Sequence, residues 1–257
     1  MTALSTAPVS ARRSLLRLHR PALLVWTAFV LLATGWLLWL HVSEVPAERA
    51  CRAARHSAAG DLPGCAYSAL TDANNLFNAL GEVLGWSAVA VAAWAGAALI
   101  GRELESGTAR LAWTQSVSPA RWLAAKLTTA AVPLLAGGGL LALVFGLVWT
   151  SDQNALVTRW TWDRVFIPRG PLLPALLLLG LAVGALAGIA LRRTLPALAA
   201  AAAVTLLIRL CLRTAWQPLH GPLHGFWPVH LAATAMVLVL AAAAFVGAFS
   251  LLRRQAR

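Results

Sequence analysis

The chain has 257 residues, of which 60% are hydrophobic and 12% charged, with a mean hydropathy of +0.72, whereas a water-soluble domain carries about a quarter charged residues. That balance excludes an ordinary soluble enzyme and predicts an all-α polytopic membrane protein, a single transmembrane domain with no length left over for a soluble catalytic one. The net charge of +12 comes from 21 basic and nine acidic residues; the basic residues punctuate apolar runs instead of gathering on one face, so the partner they imply is the lipid bilayer and not nucleic acid.

Near the start, Ala11, Leu15 and Leu18 share one helical face and Arg13, Arg17 and Arg20 the opposite one, a pattern suited to an interfacial elbow helix against anionic lipid. The first span is predicted at residues 21–40. A basic stretch before an apolar one also describes a signal peptide, but this run exceeds the usual length and five more spans follow, so it reads as an uncleaved helix. Cys51 and Cys65 fall in the first outer loop. A disulfide closing that loop is the leading expectation, ahead of free thiols and of a metal site shared with His56.

Span two, at residues 80–101, is entered through Glu82. Span three, at 127–150, holds Pro133 and the run Gly137, Gly138 and Gly139, readable as a hinge or as close packing. Span four, at 171–191, repeats glycine at 180, 184 and 188, a small-residue groove for another helix. Span five, at 194–216, carries Arg209 and Arg213. Arg209 lies deep in the outer leaflet, and an unpaired charge there costs about 2.5–3.5 kcal/mol; Glu82 is the only acid at comparable depth, so the two are expected to pair. His220, His224 and His230 read as polar residues in or beside the loop that leads into span six at 229–252, because Gly221, Pro222 and Gly225 break up any regular metal-binding face.

Orientation follows from charge, since short basic loops stay cytoplasmic. One side of the six spans carries 13 basic and two acidic residues, the other eight and seven. Both termini are therefore expected inside, in the cell membrane.

The missing chemistry is equally informative. A phosphate-binding loop needs glycines ahead of a lysine, and the only lysine, Lys126, follows Ala125. No catalytic residue, cofactor or metal site is expected, and any ATP hydrolysis falls to a separate polypeptide.

The longest inner connection, residues 102–126, has an order of its own. Gly107 can end span two at positive φ, a short helix can follow from Thr108 towards Thr114, and Ser118 before Pro119 marks a fresh helix start. Glu103 and Glu105 are the only acids on this side. A short helix joined rigidly to two spans is a lever.

Here the sequence resembles a family. Glu103, Glu105, Gly107 and Thr108, then Thr114, Ser116, Ser118, Pro119, Arg121 and Lys126, placed between spans two and three of six, are similar to the coupling-helix loop of type 2 ABC exporter permeases. The Phe226, Trp227, Pro228 approach to span six is similar to that of actinobacterial members. The resemblance implies a cytoplasmic ABC ATPase partner, a homodimer or a pair with a related permease, and outward movement of a hydrophobic or amphipathic substrate. It also implies partner contacts at Glu103, Glu105, Gly107, Thr108 and Arg110, with Arg121 and Lys126 anchored at headgroups. The short segment between spans five and six departs from the family, whose members often carry re-entrant helices there. The alternative function is a non-transporting scaffold or sensor subunit that recruits a cytoplasmic partner through the same loop.

Overall fold

The computed structural model describes residues 7–46, 67–114, 118–153, 156, 158–216 and 225–255. Cys51, Cys65, His56, Ser116, His220 and His224 lie outside them. Most of the described residues are helical, and six helices are long and apolar enough to cross a membrane.

Span one belongs to a helix from Ala7 to Trp39 that passes Pro21 and ends in a π-helical turn, Leu40–Glu44. The backbone of the expected elbow is therefore helical and continuous with the span. Span two belongs to a helix Tyr67–Trp94, relaxes into a π-helix over Ala95–Gly101 and closes with Arg102–Glu105. Span three is Pro119–Asp152, span four Leu172–Leu191, span five Thr194–Trp216 and span six Phe226–Gln255. Between three and four lies a single helical turn, Asp163–Phe166.

Span four is the axis of the bundle. Its most apolar window is 78% buried, against 22% for spans one, five and six. In lipid, apolar side chains gain little by leaving the hydrocarbon for another helix, so close backbone approach must supply the packing energy. The glycine groove supplies it within the subunit. A Cβ on Gly180 would sit 2.4 Å from the carbonyl oxygen of Ala88, one on Gly184 2.5 Å from that of Ala92, and one on Gly188 2.8 Å from Ile100 Cβ. Span two is thus pressed along span four for about three turns. Its π-helical stretch is close to span five as well, where a Cβ on Gly96 would sit 2.9 Å from the Ala197 carbonyl oxygen.

The triple glycine of span three is close-packed at two of its three positions. Gly137 faces Trp26 and Gly138 faces Leu177, whereas Gly139 meets nothing within 4 Å. These geometries separate two substitutions. Gly184→Leu should lower thermal stability by about 1–3 kcal/mol, because its Cβ meets backbone that cannot step aside; Gly139→Ala should be neutral or slightly stabilising. Melting of the purified protein in detergent reads both.

Candidate functional site

The loop between spans two and three is folded and latched. After Glu105 the chain passes Ser106 and turns at Gly107, whose φ of +75° is the left-handed conformation only glycine adopts without strain. A seven-residue helix, Thr108–Thr114, follows. Thr108 Oγ1 donates back to the Glu103 carbonyl at 3.3 Å and contacts Ser106 Oγ at 3.0 Å, which fixes the angle between this short helix and span two. Span three then starts at Ser118, whose hydroxyl accepts from the Arg121 amide at 3.4 Å, with Pro119 in the first turn.

The short helix has an inner and an outer face. Ala109 is fully buried, and Trp113, four residues on, packs edge-to-face on Trp122 of span three with centroids 5.9 Å apart. Leu111, on the other face, is 63% exposed, and Thr108 and Thr114 are exposed with it. Arg110 is helical, and its side chain lies outside the described residues.

Both acids find partners inside the chain. Glu103 Oε1 accepts from Lys126 Nζ at 2.5 Å, and Lys126, only 1% exposed, also lies 5.5 Å from the Trp122 ring centroid. Lys126 is therefore not anchored at headgroups; the inward-facing side of span three holds it against Glu103. Glu105 reaches the start of span five, where it accepts from the Thr194 amide at 2.8 Å and from the Thr194 hydroxyl. A carboxylate at this position complements the unpaired amides and positive dipole end of the helix. Arg121 is exposed, as headgroup contact requires.

The two-residue turn between spans four and five belongs to the same end. Arg192 adopts φ +51° there and donates to Gln255 Oε1 of span six at 2.7 and 3.1 Å. Polar ties thus join spans two, three, five and six around the loop. Span one is held differently, by Trp26 Nε1 donating to the Pro133 carbonyl at 2.8 Å and, at the opposite end, by His41 Nδ1 on buried Asp152 at 2.8 Å.

Deep in the bundle, Arg209 Nη2 stands 3.9 Å from Glu82 Oε2, and the guanidinium carbon lies 4.2 Å from the Trp86 ring centroid. Glu82 is half exposed, so its share in holding the arginine is modest. Arg213, one turn on, bonds Asp163 at 2.9 Å. Glu82→Gln alone should cost about 0.5–1 kcal/mol, and Glu82→Gln with Trp86→Leu more than the sum of the two. A double-mutant cycle by thermal melting checks this.

His230 departs from its expected place. Span six begins at Phe226, so His230 lies inside the helix, fully buried, with Nε2 accepting from the Leu172 amide at 3.3 Å and Phe166, Phe226 and Trp227 around it. Beside it the Arg169 guanidinium is held between Trp149 and Phe226, 3.9 and 4.0 Å from the two ring centroids. Burial there lowers the Arg169 pKa below its ordinary value. This cluster joins the ends of spans three, four and six that lie away from the loop at 102–126. No group of three metal-ligating side chains occurs among the described residues.

Six apolar helices with a folded, latched loop between the second and third leave the family comparison to decide. Residues 22–217 match the family described as ABC-2 membrane transporter related. The chain belongs to that family. No curated protein and no solved structure gives a significant match. As an ABC-2-related chain it is a multi-pass membrane permease of ABC type, a transport component that is not itself the catalytic subunit, and its family implies pairing with an ATPase.

Proposed function

We propose that this ABC-2 chain is the membrane subunit of an exporter. It moves a hydrophobic or amphipathic substrate outward, with both termini inside, as a dimer of identical or related permeases driven by two cytoplasmic ATPase subunits. The observation that carries this reading is the strut of residues 102–126. Its two acids are engaged within the chain, while one face of its helix, at Thr108, Leu111 and Thr114, stays open for a partner. Glu103 and Glu105 then act less as partner contacts than as the struts that carry force.

A push on Leu111 reaches span three through Trp113 and Lys126, and span five through Glu105. The π-helical stretch directly above, Ala95–Gly101, is the compliant part of span two, because i→i+5 bonding is weaker and such stretches mark functional irregularities. Closure of the ATPases would tilt these spans as a body while the glycine-packed contact between spans two and four holds.

The test is co-purification of the chain with the ATPase subunit it recruits, followed by ATP-dependent efflux from vesicles containing both. Association together with efflux is expected. Association without movement of any hydrophobic substrate would replace the exporter reading by that of a non-transporting scaffold.

A further inference from the structure

We propose that the groove between spans one, two and three binds the acyl chain of an anionic amphiphile that enters sideways from the leaflet facing the coupling loop. This rests on the exporter reading and names the substrate class for it. The groove has a volume of about 800 Å³ and is lined among others by Trp26, Phe29, Trp86, Ala90, Trp94 and Pro133. Its walls are apolar; Ser87 and Thr129 are the only hydroxyl-bearing residues that line it, and the indole N–H of Trp26 is already committed to the Pro133 carbonyl. Water therefore has too few partners to stay. Ala90 is exposed, so the wall is open at its middle.

Dimensions choose the occupant. The lining runs from Pro21 to Phe29 along span one, about 12 Å of helix, and from Val83 to Leu99 along span two, about 24 Å, so the groove is long and narrow. A volume of about 800 Å³ over roughly 24 Å leaves a mean cross-section of about 33 Å². An α-helix with side chains is about 10–12 Å across and needs about 80–110 Å². A slender hydrocarbon chain fits where a helix from a second copy does not.

Charge chooses the headgroup. Each of the three spans carries a basic residue within a turn of its innermost lining position: Arg20 beside Pro21, Arg102 three residues beyond Leu99, and Lys126 three before Thr129. Glu103 occupies Lys126, while Arg20 and Arg102 are exposed at the mouth. Lys126 neutralises Glu103, and Glu105 keeps its charge at Thr194 on the side of Arg193, so Arg20 and Arg102 leave the mouth net positive and it favours an anion. At the far end, Trp86 separates the groove from Arg209.

The test places the full chain in nanodiscs with phosphatidylglycerol or phosphatidylcholine carrying a photoactivatable group in the acyl chain, without ATP or ATPase. The anionic probe should label at least fivefold more than the zwitterionic one, with adducts on peptides holding residues 21–29 and 83–94. Ala90→Trp should reduce labelling at least fivefold. Arg20→Gln with Arg102→Gln should bring the preference below twofold while acyl-chain labelling persists, and this surface variant decides the matter if Ala90→Trp fails to fold. Equal labelling by the two lipids, adducts scattered over spans five and six, or a disulfide between two copies formed through Ala90→Cys would overturn the inference. Loss of the anionic preference with efflux intact removes only this site, whereas site-specific labelling with no efflux removes the exporter reading.

Discussion

Replacing Lys126 with alanine is expected to destabilise the protein by about 3–5 kcal/mol, because it leaves the Glu103 carboxylate without its partner at the inner end of the bundle. Lys126 is 1% exposed and Glu103 19%, with their charged atoms 2.5 Å apart, so bulk water screens the pair poorly. The isolated charge, and not the missing attraction, dominates that cost. Removing both charges should therefore recover most of it, and Glu103→Leu with Lys126→Met is expected within about 1–2 kcal/mol of the parent. Thermal unfolding of the three proteins in one detergent measures both differences. A Lys126→Ala protein as stable as the parent would mean that the tie between spans two and three carries no weight.

The second large effect belongs to Glu105, and it separates stability from coupling. Glu105→Ala removes an acceptor from the first turn of span five, worth about 1 kcal/mol, or about a fivefold change in a coupled equilibrium. Because the Glu105 carboxylate, though exposed, is held by Thr194, ATPase association should persist while ATP-dependent efflux falls about fivefold. Leu111→Asp should do the opposite, since Leu111 is on the open face of the short helix. It is expected to weaken ATPase association at least tenfold with little effect on melting. If Glu105→Ala instead abolished association, the carboxylate would be a partner contact and the strut would need another residue to reach span five.

The features read most directly from sequence are those set by neighbouring residues. Apolar run length marks the six spans, Gly107 turns because a positive φ suits it, and Ser118 with Pro119 starts span three because capping is a matter of adjacent atoms. Glu82 and Arg209 could be put side by side from depth alone, and they stand 3.9 Å apart.

Features that depend on the rotation of one helix against another were not legible. The partnership of Lys126 with Glu103 crosses 23 positions and that of Glu105 with Thr194 crosses 89, and nothing local in Lys126 distinguishes a buried partner from a snorkelling one. His230 was read as a residue beside the loop because span six starts three residues before its expected first residue, with Phe226 and Trp227 packing as helix. The π-helical stretch of span two leaves no mark in its small and aliphatic residues. Nothing in the sequence around Trp86 and Trp94 marks them as groove wall, because that depends on how spans one, two and three pack together.

A photoactivatable amino acid at position 111 in living cells tests most directly whether this chain hands mechanical work from an ATPase to its spans. The expected product is a covalent adduct with a cytoplasmic ABC ATPase subunit. The account fails if position 111 cross-links to no ATPase and is reached by a membrane-impermeant reagent from outside intact cells.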